Sequence, residues 1–169
     1  MSEALTTISE ASGIIRMAKE LSNSLGAVAP IRVLVVDDLT TDCALIKNWL
    51  QSSGRLYEVD CCYKYDDAIA AVSKKHFDVI FIDESLGPKK GGLGFIEETR
   101  TMGLNVPFVM VTGNNSKDAD TRAMGADCMA FISKNTMSGE SLDRAARYSI
   151  KNHVTRSIAQ HQNANRQLS

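Results

Sequence analysis

The chain has 169 residues, 44% of them apolar and 23% charged, with a formal net charge of -1. That balance is too apolar and too near neutral for a wholly disordered chain, and the length suits one core of ordinary size with short extensions. Lys and Arg number 19 against 20 Asp and Glu, so no global basic field exists for gripping nucleic-acid phosphates.

Residues 1–30 read as an N-terminal helical extension. Ile14, Ala18, Leu21 and Leu25 recur at helical spacing, and Gly26 and Pro30 would end the stripe. So short a stripe is marginal alone and should pack on something. Met1-Ser2-Glu3 carries no positive leader region, and no apolar run reaches the roughly 18 residues of a membrane span. The expectation is a cytoplasmic protein without a membrane partner. Cys43, Cys61, Cys62 and Cys128 form no CxxC pair, and the three histidines show no ligand spacing with them. Reduced, buried thiols are expected rather than zinc ligands.

From Ile31 the pattern changes. Ile31-Arg32-Val33-Leu34-Val35-Val36 is nearly all apolar and β-branched, and Asp37-Asp38 follows at once. Cys43, Ala44, Ile46 and Leu50 then give a helical period. A second strand is predicted over 56–62 and a second helix over 66–75. The third strand, Val79-Ile80-Phe81-Ile82, ends at Asp83, before the loop Gly87-Pro88-Lys89-Lys90-Gly91-Gly92. Leu93, Phe95 and Ile96 open the next helix. A fourth strand over 106–111 ends at Thr112-Gly113. A short helix around 117–124 and a fifth strand over 128–132 lead to Ser133-Lys134.

This alternation predicts an α/β fold, a doubly wound five-stranded parallel sheet with helices on both faces. Ligands of such sheets lie beyond the carboxyl ends of the strands. Asp37 and Asp38, Asp83, Thr112 and Lys134 all stand there. Crowded carboxylates repel one another unless a cation compensates, and a hard divalent ion such as magnesium takes oxygen ligands. The same cation would screen an incoming phosphoryl group, for which Asp83 is an available nucleophile. Taken singly, Asp37 and Asp38 could instead cap the next helix with help from Thr40 or Thr41. The ordered set speaks against that reading alone.

Residues 31–150 resemble the receiver domain of bacterial two-component response regulators. The likeness is carried by Val33-Leu34-Val35-Val36-Asp37-Asp38, Asp78-Val79-Ile80-Phe81-Ile82-Asp83, the stretch 107–112, and Phe131-Ile132-Ser133-Lys134. It implies a flavodoxin-like strand order 2-1-3-4-5 and a phospho-acceptor at Asp83. That residue would receive its phosphoryl group from a sensor histidine kinase or a histidine phosphotransfer protein. It also implies Mg2+ held by Asp37, Asp38, Asp83 and the backbone carbonyl of Ser85. Thr112 would be the switch hydroxyl, Phe131 the switch aromatic, and Lys134 the phosphoryl partner. Ser85 and Asn114 would border the approach of water. Three positions depart from the usual pattern. Gly87 stands where proline is usual, Asn135 replaces the proline after Lys134, and Gly113 replaces a small alanine. Without that proline a cis bond after Lys134 is not expected.

The last helix is predicted to start near Gly139, with Leu142, Ala146, Ile150, Val154 and Ile158 spaced by four. It would run about 20 residues, near 30 Å. Residues beyond Gln160 read as frayed. A receiver's last helix ends near Ile150, so Val154 and Ile158 would project and want a partner. A homodimer through the terminal helices is expected, using Ile14, Ala18, Leu21, Leu25, Ile150, Val154 and Ile158. Arg144, Arg147, Lys151, Arg156 and Arg166 make this end basic, but the 19 residues after Ile150 leave no room for a DNA-binding module. Output is expected through contact with a downstream protein target, not nucleic acid. The competing readings are a phosphorelay intermediate and a magnesium-dependent phosphatase or phosphotransferase. The second commonly needs a further aspartate two residues past the nucleophile, where Ser85 stands. A flavodoxin-like electron carrier would suffer repulsion between Asp37-Asp38 and its cofactor phosphate. A purely structural dimerisation module would need the acidic set to be inert.

Overall fold

The structure is a computed structural model that describes residues 29–87, 91–113, 128 and 130–167. The stripe at Ile14, Ala18, Leu21 and Leu25, the loop residues 88–90, Asn114 and the helix expected over 117–124 lie outside the described residues. The strands are β1 (Ile31–Val36), β2 (Tyr57–Cys62), β3 (Val79–Asp83), β4 (Phe108–Thr112) and β5 (Ala130–Ser133). The helices are α1 (Thr40–Gln51), α2 (Tyr65–Lys74), α3 (Gly91–Thr101) and α4 (Gly139–Gln167). All belong to one unit, Ile31–Ser169.

The five strands form one sheet in the order β2-β1-β3-β4-β5, with every pairing parallel. This is the expected doubly wound α/β sheet. The apolar runs are continuous because both faces are covered. Val33, Val35, Val79, Phe81, Val109, Val111 and Ile132 pack on Cys43, Ile46 and Leu50 of α1 and on Leu142 and Ala146 of α4. The alternate residues Leu34, Val36, Ile80, Ile82, Phe108 and Met110 pack on Ala68 and Val72 of α2 and on Phe95 and Ile96 of α3.

The strand edges shift slightly from the sequence reading. β4 begins at Phe108 rather than at residue 106. Pro107 has no N–H for the ladder, although its carbonyl accepts Ile80 N at 3.0 Å. β5 begins at Ala130 rather than at residue 128, and Cys128 points its thiol at the carbonyls of Phe108 and Ala130.

The last helix differs most. α4 starts where expected, at a reciprocal cap. Ser141 N donates to Ser138 Oγ at 3.2 Å, and Ser138 N to Ser141 Oγ at 2.8 Å. It then continues for 29 residues, not about 20, and is about 44 Å long. The run after Gln160, expected to fray, is helical through Gln167. Ala159, Gln160, Gln162, Ala164 and Arg166 favour a helix by propensity, and no glycine or proline interrupts them. Part of the overhang is fastened. His153 Nε2 lies 3.0 Å from Asn105 O, and Asn105 Nδ2 donates to Ser157 Oγ at 3.4 Å. The basic end is also partly neutralised, because Arg144 pairs with Glu140 and Arg147 with Asp143 one turn earlier. Ile150 packs against the core, whereas Val154 and Ile158 are exposed. Among the described residues no helix is long and apolar enough to cross a membrane.

Candidate functional site

The site is built where four neighbouring strands stop. β1 hands over to Asp37 and Asp38, β3 ends on Asp83, β4 ends on Thr112, and Lys134 follows β5. Because the strands are parallel and adjacent, all these positions fall at one end of the sheet. Ligand oxygens of Asp37, Asp38 and Asp83 lie within 4.8 Å of one another. Asp37 and Asp83 are buried, at 1% and 5% exposure, while Asp38 faces solvent.

Lys134 braces this cluster. Its Nζ lies 2.6 Å from Asp37 Oδ2, 3.1 Å from Asp83 Oδ1 and 2.8 Å from Asp42 Oδ2. Burial opposes its charge, but the hydrogen bonds to Asp37 and Asp42 outweigh that and raise its pKa above the ordinary lysine value. Burial raises the pKa of Asp83, and the nearby Asp37 charge adds to the effect, with Lys134 opposing both. The peptide after Lys134 is trans, as expected from Asn135.

Asp37 does a second job. Its Oδ1 accepts Leu39 N at 2.9 Å and shapes the entry into α1. Leu39 is the N-cap of that helix and makes no side-chain cap. Thr40 and Thr41 therefore sit in the first turn and do not cap it. The local-structure and chemical readings of Asp37 coexist, one oxygen for each.

The turn after β3 is fixed by its neighbours. Leu86, fully buried, donates its N–H to Asp83 O at 3.4 Å, and Ser85 is left exposed. Gly87 has φ of 67°, a conformation that glycine adopts without strain. α3 begins very close by, and Gly92 N donates to Glu84 O at 3.0 Å. A Cβ at Gly92 would lie 2.5 Å from Asp83 O, and one at Gly91 2.9 Å from Glu84 O. Only residues without side chains permit that approach.

Thr112 is buried, and its hydroxyl donates to Glu84 Oε2 at 2.6 Å. Phe131 is half-buried on the same side of the sheet as its register partner Met110. Sequence reasoning missed Glu84 and Asp42. Both had a signal. Asp83 pairs with Val111, so the next residues, Glu84 and Thr112, fall side by side. Asp42 lies in the first turn of α1, within reach of whatever follows β5.

The donor set suits a hard cation. It offers carboxylate oxygens only, and three acids meet one lysine with Asp38 beside them, which leaves an excess of negative charge. One of the three possible ligands, Asp38, is open to solvent and offers a way in.

The chain is similar to known proteins. The family model of the response regulator receiver domain matches residues 33–146, more than half of the chain. Two-component system protein A of Emericella nidulans is 32% identical over 113 residues, covering 64% of this chain and 16% of that protein. The transcriptional regulatory protein ZraR of Salmonella typhimurium is 27% identical over 104 residues, covering 62% and 23%. The chain thus spans less than a quarter of the length of these curated relatives. Among solved structures, Vibrio cholerae chemotaxis protein CheY4 superposes with a TM-score of 0.63 at 25% identity, covering 72% of this chain and 99% of that one. A CheY-like receiver domain from Methanospirillum hungatei gives 0.65 at 23% identity, covering 76% and 99%. With the sheet order, the acidic cluster and its lysine in place, the chain belongs to the response regulator receiver domain family, whose site is that of an aspartyl phospho-acceptor switch.

Proposed function

We propose that this chain acts as a response regulator receiver whose Asp83 takes a phosphoryl group from a phosphohistidine on a sensor histidine kinase or a histidine phosphotransfer protein. The observation that carries this is the convergence of Asp37, Asp83 and Lys134, with Lys134 Nζ within 3.1 Å of both carboxylates. Asp83 attacks phosphorus in line through a carboxylate oxygen, and the bond from phosphorus to the donor imidazole breaks. Lys134 keeps Asp83 ionised and receives a phosphoryl oxygen as charge builds there. Asp37, Asp38, Asp83 and the Ser85 carbonyl are the residues to hold Mg2+, which when bound neutralises the equatorial oxygens of the transferred group. Thr112 then turns its hydroxyl to the acyl phosphate, and Phe131 follows. Ser85 borders the approach of the hydrolytic water, a role the family resemblance also implies for Asn114, which lies outside the described residues. The changed surface beyond β4 and β5 meets a downstream protein.

The setting follows from smaller observations. The four cysteines are thiols outside any disulfide, which supports a reducing, cytoplasmic compartment. Exposed Val154 and Ile158 support a homodimer through α4, with Ile14, Ala18, Leu21 and Leu25 as the further expected contributors.

The test is intact mass after incubation with magnesium and acetyl phosphate. The expected result is a gain of one phosphoryl group, absent in Asp83→Asn. Release of free phosphate over many turnovers would instead support a phosphatase. Failure to take up phosphate from acetyl phosphate or from any kinase would remove the phospho-acceptor reading.

A further inference from the structure

The hydroxyl of Thr112 has one proton to donate. In this structure it goes to Glu84 Oε2 at 2.6 Å, the short distance of a charge-assisted O–H···O bond. A hydroxyl held there cannot also donate to a phosphoryl oxygen on Asp83. The two acceptors compete for the same proton.

Glu84 is well placed to hold on. Its backbone is fixed on two sides, with Glu84 N donating to Val111 O at 2.9 Å and Glu84 O accepting Gly92 N at 3.0 Å. Thr112 is equally confined, since its carbonyl accepts Lys134 N at 2.8 Å. The parallel register that pairs Asp83 with Val111 keeps the two side chains adjacent. With both backbones pinned, the freedom left is rotation of the two side chains. A conformational change that moves the Thr112 hydroxyl therefore includes the breaking of this hydrogen bond.

We infer that Glu84 is a positioning residue that latches the Thr112 hydroxyl in the unphosphorylated state, so that switching must break the Thr112–Glu84 bond before Thr112 can bind the acyl phosphate. This rests on the reading of Asp83 as phospho-acceptor. Glu84 does not touch the reacting atoms. It sets the equilibrium between the two states of Thr112, and through that the affinity for the phosphorylated configuration.

Beryllofluoride with magnesium, which mimics a phosphoryl group on a carboxylate, reads that affinity directly by titration calorimetry. Glu84→Ala should bind it about tenfold more tightly than the wild type, the equivalent of one charge-assisted hydrogen bond. Glu84→Gln keeps an acceptor without the charge and should fall between them, about threefold tighter. In a Thr112→Val background the gain from Glu84→Ala should vanish, because the latch has nothing to hold. Equal or weaker binding by both Glu84 variants, with wild-type binding intact, would overturn the latch and leave the phospho-acceptor reading standing. So would a gain that persists in Thr112→Val. No binding of beryllofluoride by the wild type would instead remove the phospho-acceptor reading, and the latch with it.

Discussion

The carboxyl ends of the strands and the far half of α4 handle awkward side chains in opposite ways. At the strand ends, buried charge is cross-braced. Lys134 meets Asp37, Asp42 and Asp83, and Thr112 meets Glu84. On the far half of α4, Val154 and Ile158 stand 51% and 54% exposed. The difference has a physical root. A buried charge left alone costs several kcal/mol, so the fold must bring its partners within reach. An exposed apolar side chain costs far less, and a single chain can leave it open. Charge at a strand end thus identifies its own neighbours, whereas an apolar stripe reports only that a face exists.

The sharpest way to break this contrast is Lys134→Met. It keeps the side chain's bulk and removes the brace, and should lower the unfolding free energy by about 4 kcal/mol in metal-free buffer. Urea denaturation measures this, and millimolar magnesium should recover part of the loss. An unchanged midpoint would mean that the acids do not depend on their lysine. Leu142→Ala, in the covered half of α4, should cost about 3 kcal/mol through the cavity it leaves.

A smaller effect concerns pH. Burial holds the Asp83 pKa above its unfolded value, so ionising Asp83 weakens the fold. Without magnesium, Asp83→Asn should be more stable than the wild type at pH 7. The advantage should shrink as pH falls through the raised folded pKa, and it should be gone below about pH 4, where Asp83 is protonated in both states. Thermal melts across that range check the sign. The smallest effect belongs to Ile158→Ala, on the same helix as Leu142. It should change the stability of the dilute protein by less than about 0.5 kcal/mol. A loss as large as that of Leu142→Ala would show that the far half is covered after all.

The same contrast explains what could be read in the sequence. The apolar runs ending at Val36 and Ile82, each followed by acid, were plain because strands buried on both faces carry continuous apolar residues. With them came Asp37, Asp38, Asp83 and Lys134 as strand-end residues. Glu84 and Asp42 carried only an indirect signal and were missed. Their roles come from register and helix phase, which bring together residues 28 and 92 positions from their partners. The end of α4 was misjudged for another reason. Its last turns carry no apolar stripe, although their residues have good helix propensity. Thr40 and Thr41 looked like caps by residue type, yet the turn is closed by Asp37 from the strand side.

The glycine at position 92 carries one last implication. Its hydrogen occupies a space where a methyl carbon would sit 2.5 Å from the Asp83 carbonyl oxygen. Any larger residue must push back either the start of α3 or the backbone of the acceptor itself. The freedom of this chain to vary is thus restricted at a place where no bond is made or broken. A change there could silence the aspartate while leaving every reactive group intact.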